Sequence, residues 1–254
     1  MAARQPTPPP APGADPDAIL ETKRALAWTH TARFLVTASR LSELPPTELA
    51  EIAFVGRSNA GKSTAINALA QQRRLAFASK TPGRTQHINL FELGPKDAPD
   101  AWFADLPGYG YAAVERSAKL RWQEVMAEYL AVRRSLSAIV MLVDSRLGFT
   151  DIDKKLLGFV APRIGNGSVK LLVLLTKVDK LSRSERGASL QRATAVLEEV
   201  SSDESDVSVA TFSALSRAGV DDAAVTLYRW VRRASEPYQA PVAGDALPAG
   251  MPQS

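Results

Sequence analysis

The stretch Gly56-Arg-Ser-Asn-Ala-Gly-Lys-Ser63 decides the fold, because it fits the phosphate-loop pattern G-x-x-x-x-G-K-[ST]. The apolar run 52–55 before it is typical of a buried strand. After it, Ile66, Leu69 and Ala70 recur at helical spacing on one face. An ordinary glycine-rich turn is the alternative, and the strand–loop–helix context argues against it. The stretch therefore predicts a nucleotide-binding α/β domain.

The residue types in this loop match the chemistry of phosphate binding. Gly56 and Gly61 let the backbone pass close to phosphate oxygens, where a Cβ would obstruct it. Amides of the loop and of the following helix point at the anion, and the helix dipole favours negative charge there. Lys62 adds a positive charge for the β- and γ-phosphates, and Ser63 offers a hydroxyl to Mg²⁺. The loop indicates a nucleoside triphosphate and leaves the base open.

Composition places the chain among soluble globular proteins, with 254 residues, 45% apolar and 23% charged. The absence of cysteine excludes disulfides and thiolate metal sites. The longest apolar runs, 136–143 and 169–175, are too short to span a bilayer, and the N-terminus has no signal-like core. We therefore expect a cytoplasmic protein without a membrane span. The net charge of +4 and arginine pairs such as Arg73-Arg74 permit an RNA or membrane-surface partner, although solvated helix faces are equally consistent with them.

The order of patterns along the chain predicts one domain between two tails. Residues 1–18 and 237–254 are rich in Pro and Ala and are expected to be disordered. Between them, residues 19–236 alternate strand and helix patterns, which predicts a doubly wound, mostly parallel six-stranded sheet. Its one antiparallel strand comes from a hairpin formed by 87–93 and 101–104. Ligands of such sheets bind at the carboxyl ends of the strands.

A second motif, Asp105-Leu-Pro-Gly108, falls at such a strand end. Asp105 can reach Mg²⁺ through water, and the amide of Gly108 can bond the γ-phosphate. The pattern D-x-x-G is common by chance, but its place after a phosphate loop and a strand makes it informative.

The third motif, Thr176-Lys-Val-Asp179, follows the apolar run 169–175 and predicts the base. The Asp179 carboxylate can accept two hydrogen bonds from guanine N1–H and the 2-amino group, which adenine cannot supply. The Lys177 stem can lie over the base plane, and Ser213-Ala214 offers an amide to guanine O6. The alternative, a P-loop ATPase or small-molecule kinase, requires this motif to be a coincidental polar turn.

With these motifs in place, the sequence resembles the translation-factor-related (TRAFAC) GTPases. Five motifs occur in the expected order: Gly56–Ser63, Thr85, Asp105–Gly108, Thr176–Asp179 and Ser213–Leu215. Together with the phosphate loop, the stretches 79–86 and 105–112 are similar to the EngB (YihA/YsxC) family of bacterial ribosome-assembly GTPases, over roughly residues 30–233. The departures are Thr64 and Leu215, where related proteins often have serine and lysine.

The resemblance implies a GTP/GDP switch in assembly of the large ribosomal subunit, with a link to cell division and septation. Its expected partners are GTP or GDP, the large-subunit precursor and its rRNA, and we expect a monomer. It implies Mg²⁺ ligands at Ser63 and at Thr85 in the first switch, and a second switch from Asp105 through Tyr111. The alternative function is a nucleotide-binding scaffold that acts in cell division through protein contacts.

The expected nucleotide site draws residues from all five motifs. The nucleotide is expected to contact Gly56, Arg57, Ser58, Asn59, Ala60, Gly61, Lys62, Ser63, Gly83, Arg84, Thr85, Gln86, His87, Asp105, Leu106, Pro107, Gly108, Thr176, Lys177, Val178, Asp179, Phe212, Ser213 and Ala214. Catalysis is assigned to Lys62, Thr85 and Gly108. The expected Mg²⁺ ligands are Ser63 and Thr85, with Asp105 acting through water.

Two features bear on the rate of hydrolysis. Ras-type enzymes orient the attacking water with a Gln directly after D-x-x-G, and here that position is Tyr109. Our hypothesis is that intrinsic hydrolysis is slow and a ribosomal partner completes the site; if Tyr109 only packs the switch, the rate is equally slow. In related GTPases an Asn at the position of Asn59 can coordinate K⁺, which neutralises transition-state charge; the alternative is that Asn59 only forms a hydrogen bond within the loop. Arg84 is either an arginine finger in cis or, as we favour, a contact for RNA or a partner.

Overall fold

The computed structural model describes residues 15–76, 87–110 and 125–235, with side chains up to residue 232. The strands are β1 (Arg33–Ala38), β2 (Ala50–Gly56), β3 (Ile88–Leu93), β4 (Ala101–Asp105), β5 (Leu136–Asp144), β6 (Lys170–Thr176) and β7 (Val207–Thr211). The helices are α1 (Pro16–Thr29), α2 (Lys62–Leu69), α3 (125–132), α4 (Asp151–Gly165), α5 (Arg183–Glu198) and α6 (Val220–Ser235), with short 3₁₀ turns at Leu41–Glu43 and Val178–Lys180. Within these residues, no helix is long and apolar enough to cross a membrane.

The strands form one sheet in the order β1-β3-β4-β2-β5-β6-β7. Only β3 runs against its neighbours, because it pairs antiparallel with both β1 and β4 while the remaining pairs are parallel. The predicted class, a doubly wound and mostly parallel sheet with one antiparallel strand, is confirmed.

The predicted count of six strands is wrong, because the described residues already form a seven-stranded sheet. The additional strand is β1, for which the sequence showed no strand pattern. It pairs with β3 along Thr37↔Asn89 and its neighbours, and this pairing satisfies backbone groups that would otherwise lie at an open edge. Only Ala38 of this strand is buried, so β1 lacks the period-two burial by which a strand is recognised from sequence.

Helix α1 begins at Pro16, inside the tail predicted over residues 1–18. Asp15 caps the helix by accepting a hydrogen bond from the Asp17 amide, and proline is favoured in the first turn. The helix packs against α6, where the Arg229 guanidinium pairs with Glu21. Proline at this position therefore starts a helix, whereas composition alone suggested disorder.

Two apolar layers cover the two faces of the sheet. One lies between the sheet and helices α1, α2 and α6, and the other between the sheet and helices α3, α4 and α5. Strand β5 contributes to both, with Val140 and Leu142 on one face and Ile139 and Met141 on the other. Burial on both faces explains why β5 and β6 read as continuous apolar runs.

The carboxyl ends of the parallel strands meet at one edge of the sheet. In the register of the sheet, Phe54 lies beside Asp105 and Asp144 lies beside Thr176. The residues that follow β2, β4, β6 and β7 are those of the sequence motifs. The topology therefore brings together segments that are more than a hundred residues apart in the chain.

Candidate functional site

The phosphate loop connects β2 to α2 through two positions that need glycine. A Cβ on Gly56 would lie 2.9 Å from the carbonyl oxygen of Leu142 in the neighbouring strand. Gly61 has a φ of +100° and precedes the first helical residue, Lys62. Because the first amides of a helix have no partner within it, the start of α2 offers donors to an anion.

The phosphate loop is hydrogen-bonded to the D-x-x-G segment. The Ser58 amide donates to the Tyr109 carbonyl at 2.8 Å, and the Tyr109 amide donates to the Gly56 carbonyl at 3.2 Å. A Cβ on Gly108 would lie 3.2 Å from the Ser58 nitrogen, so the two backbones approach each other closely. The two segments that are expected to meet the γ-phosphate are thus in direct contact.

Lys62 and Asp105 form an ion pair at the floor of this site. Their side chains are 9% and 1% exposed, and each charge compensates the other. A phosphate oxygen that engages Lys62 and a metal-bound water that engages Asp105 would therefore lie close together. Asp105 and the Ser63 hydroxyl are oxygen donors, the type that Mg²⁺ prefers, and phosphates and water usually complete its shell. The described donor set fits Mg²⁺.

The base motif reaches back to the phosphate loop with two consecutive residues. The Thr176 hydroxyl donates to the Ala60 carbonyl at 2.7 Å, and the Lys177 ammonium donates to the Asn59 carbonyl at 2.7 Å. Lys177 has a φ of +61° and Asn59 a φ of +67°, both in the left-handed region that costs energy for residues other than glycine. These hydrogen bonds hold both residues in that conformation.

Asp179 is held by the segment after β7. The Ser213 hydroxyl donates to Oδ1 of Asp179 at 2.6 Å, and the Ser213 amide donates to the Ala218 carbonyl. The pKa of Asp179 is lowered, first by this hydroxyl, so the carboxylate is ionised at neutral pH. An ionised, oriented carboxylate is the acceptor that the N1–H and 2-amino groups of guanine require.

Several predicted nucleotide contacts have side chains that point elsewhere. Leu106, Val178 and Phe212 are buried in the apolar layers, so only their backbone groups could meet a nucleotide. His87 is exposed, and its Nδ1 lies 2.9 Å from the Ser39 hydroxyl. The predictions for Gly83, Arg84, Thr85 and Gln86, for Tyr111, and for residues 1–14 and 237–254 of the tails lie outside the described residues.

Tyr109 faces helix α4. Its hydroxyl donates to Oδ1 of Asp153 at 2.8 Å, and the side chain is 2% exposed. Burial, followed by the charge of Asp153, raises its pKa above the ordinary value. This geometry favours the interpretation that Tyr109 packs the segment after D-x-x-G rather than orienting water.

Sequence reasoning missed Asp144 and Arg146, which complete this edge. Asp144 ends β5 and accepts hydrogen bonds from the Arg146 guanidinium at 2.6 and 2.9 Å and from the Lys177 ammonium at 2.9 Å. Together with the phosphate loop, these residues line a pocket of about 220 Å³. The signal that could have found Asp144 is the one that identified Asp105, a carboxylate at the carboxyl end of a buried strand.

A phosphate loop, D-x-x-G and Thr-Lys-x-Asp on one edge of a doubly wound sheet define a P-loop GTPase. A family model described as 50S ribosome-binding GTPase matches residues 51–177. The "Probable GTP-binding protein EngB" of Acidovorax ebreus (strain TPSY) is 58% identical over 205 residues, which cover 81% of this chain and 90% of that protein. The chain belongs to the EngB family of GTP-binding proteins.

Solved structures support the fold. The crystal structure of a probable GTP-binding protein engB matches with a TM-score of 0.52 at 21% identity, covering 72% of this chain and 99% of that one. Era, in a complex with MgGDPNP and nucleotides 1506–1542 of 16S ribosomal RNA, matches with a TM-score of 0.57 at 20% identity, covering 78% of this chain and 60% of that one. At such identities the likeness establishes the fold alone.

Proposed function

We propose that this GTPase is a GTP/GDP switch in assembly of the large ribosomal subunit, that its intrinsic hydrolysis is slow, and that normal cell division and septation depend on it. We propose further that it acts as a monomer in the cytoplasm. The observation that carries the ribosomal part is the family match across residues 51–177, which contains the phosphate loop, D-x-x-G and the first two residues of the base motif.

In this proposal each predicted site residue contacts a particular part of the nucleotide or its metal ion. The loop amides and the Lys62 ammonium hold the β- and γ-phosphates, and the Gly108 amide bonds the γ-phosphate. Ser63, and Thr85 from the first switch, hold Mg²⁺, with Asp105 acting through water. Bound Mg²⁺ neutralises charge on the β- and γ-phosphates.

The position of Tyr109 supports slow hydrolysis. The residue after D-x-x-G is the one that orients water in Ras-type enzymes, but here its hydroxyl is buried and bonded to Asp153. A water molecule that the enzyme does not hold in the reactive geometry attacks slowly, because the entropy cost of orienting it adds to the activation barrier. We therefore expect a partner to supply the missing group.

Exposed arginines support an RNA-containing partner. Arg73 and Arg74 lie after α2, and Arg183 and Arg186 lie in the first turn of α5. Each side chain that neutralises an rRNA phosphate releases counterions, so such contacts favour binding and make it depend on salt. The net charge of +4 agrees with this partner.

Single-turnover GTP hydrolysis tests the switch directly. We expect slow turnover by the protein alone and an acceleration of roughly a hundredfold or more by large-subunit particles, the size expected when one transition-state group is supplied. Small-subunit particles at the same concentration are the control. Fast hydrolysis by the protein alone, or equal acceleration by both kinds of particle, would overturn the proposal.

Depletion of the protein tests the link to cell division. If division fails because ribosomes are not completed, large-subunit precursors should accumulate before septation is impaired. Septation that fails while subunit profiles stay normal would favour a division scaffold that acts through protein contacts.

A further inference from the structure

Asp144 is a buried carboxylate with several donors around it. It ends β5, lies beside Thr176 in the sheet register, and is 9% exposed. Its Oδ1 accepts from the backbone amide of Arg146 at 3.1 Å and from Nε of Arg146 at 2.9 Å. Its Oδ2 accepts from Nη2 of Arg146 at 2.6 Å and from the ammonium of Lys177 at 2.9 Å. Hydrogen bonds from Arg146, above all, hold its pKa well below the ordinary value, so it stays ionised.

The Lys177 ammonium is thereby fixed between two acceptors. One is Oδ2 of Asp144, and the other is the carbonyl oxygen of Asn59 in the phosphate loop. A free lysine side chain samples many rotamers, and fixing one of them costs conformational entropy. Here the Lys177 side chain is already ordered in the folded protein, before any ligand binds. The charge-assisted hydrogen bonds offset the entropy lost in ordering it.

We propose that Asp144 is a positioning residue for the guanine nucleotide, because it holds Lys177 on the phosphate loop and so sets the lysine stem along the base plane. This inference rests on the proposed role of Lys177 in nucleotide binding. Arg146, whose side chain is 49% exposed, holds Asp144 from the solvent side. Asp144 belongs to neither motif, yet it supports the Lys177 side chain that joins the base site to the phosphate loop.

Electrostatics alone predicts the opposite effect of losing Asp144. Arg57, Arg146 and Lys177 line the same pocket beside the phosphate loop. If Asp144 only reduced the positive charge there, its neutralisation would strengthen the binding of every nucleotide through the phosphates. If Asp144 positions Lys177, its neutralisation weakens binding. The sign of the change therefore separates the two roles.

Asp144→Asn is the sharpest variant, since it is isosteric. The amide keeps an oxygen for the Arg146 backbone amide and replaces Oδ2 by an NH₂ group that cannot accept from Lys177. With a fluorescent GDP analogue we expect affinity to fall roughly tenfold through faster dissociation, the size of one charge-assisted hydrogen bond. The affinity for inosine diphosphate (IDP) should fall by the same factor, because the ratio of GDP affinity to IDP affinity depends on Asp179 and not on Asp144.

Two control variants accompany it. Asp203→Asn removes an exposed carboxylate outside the site and should leave both affinities unchanged. Arg146→Gln removes the outer partner of Asp144 at a half-exposed position and should weaken GDP binding less than Asp144→Asn does. Thermal unfolding without nucleotide checks that each variant is folded.

A double-mutant cycle with Lys177→Ala completes the test. If Asp144 acts through Lys177, the double variant binds GDP no more weakly than Lys177→Ala alone. Additive losses, or stronger GDP binding by Asp144→Asn, would overturn the inference. If Lys177→Ala itself leaves GDP affinity unchanged, the proposed role of Lys177 is what fails.

Discussion

The Tyr109 hydroxyl donates a 2.8 Å hydrogen bond to Oδ1 of Asp153, which fixes the residue after D-x-x-G to helix α4. The other oxygen of Asp153 accepts from the amide and hydroxyl of Thr150 at the start of that helix. Asp153 is therefore both part of the helix cap and the partner of Tyr109. This hydrogen bond fixes the start of the expected second switch to the core. In Ras-type enzymes the side chain at the same position orients the attacking water.

Tyr109→Phe should change stability and leave the chemistry intact. Loss of the hydroxyl leaves buried Asp153 with one donor fewer, which should lower the free energy of unfolding by about 1–3 kcal/mol. Intrinsic single-turnover hydrolysis should stay within about twofold of wild type, because the buried hydroxyl already donates to Asp153 and is not expected to orient the attacking water. A tenfold loss of rate with unchanged stability would show that Tyr109 acts on the reaction.

Ser213→Ala should shift the pH dependence of GDP binding. The Ser213 hydroxyl is the first cause that lowers the pKa of Asp179 below its ordinary value of 3.8. Guanine binding needs the carboxylate, so affinity is present above this pKa and is lost as pH falls through it. Without the hydroxyl the pKa rises, and affinity should be lost at higher pH than in wild type.

Titration of GDP affinity from about pH 6 to about pH 3 checks this, with circular dichroism to confirm that the protein stays folded. Ser216→Ala removes an exposed hydroxyl from the same loop and should give the wild-type profile. Coincident profiles for all three proteins would mean that Ser213 does not tune Asp179.

Glu51→Ala should strongly destabilise the protein. Glu51 is fully buried at the start of β2, pairs with the Arg133 guanidinium, and accepts from the Tyr129 hydroxyl at 2.5 Å. Removing it leaves the charge of Arg133, which is 12% exposed, without compensation, at a cost of about 3–5 kcal/mol. Chemical denaturation measures the loss. Glu48→Ala, at an exposed position, should stay within about 0.5 kcal/mol of wild type.

The potassium hypothesis predicts that hydrolysis is faster in K⁺ than in Na⁺ at matched ionic strength. Asn59 is exposed and its carbonyl is already bonded to Lys177, so the side-chain amide is the group expected to meet the ion. Asn59→Ala should remove the difference between the two salts and leave GDP affinity within about threefold, since the loop amides remain. Equal wild-type rates in the two salts would end the hypothesis.

Local chemistry explains why so much of this site could be predicted. Gly56, Lys62, Asp105 and Asp179 stand in short motifs directly after apolar runs, and parallel strands bring such ends to one edge. The order of runs also predicted helices on both faces of the sheet.

The features that sequence did not predict depend on contacts between distant segments. The partner of Tyr109 is 44 residues away on another helix, and Asp144 is 33 residues from Lys177. Strand β1 is held by pairing with β3 rather than by alternating burial, so its side chains carried no strand pattern. Backbone pairing between distant strands forms only when the chain folds, so it leaves no local pattern in the sequence.

Co-sedimentation with large-subunit particles at near-physiological salt tests the central claim, a guanine-nucleotide switch on the ribosome. Wild-type protein with a non-hydrolysable GTP analogue should pellet with the particles, and with GDP it should remain in the supernatant. The Asp179→Asn variant should instead pellet with the particles when the corresponding non-hydrolysable xanthosine triphosphate analogue is present, because its amide can donate to the 2-carbonyl of xanthine. Equal pelleting with both guanine nucleotides, or no association even at low salt, would contradict the claim.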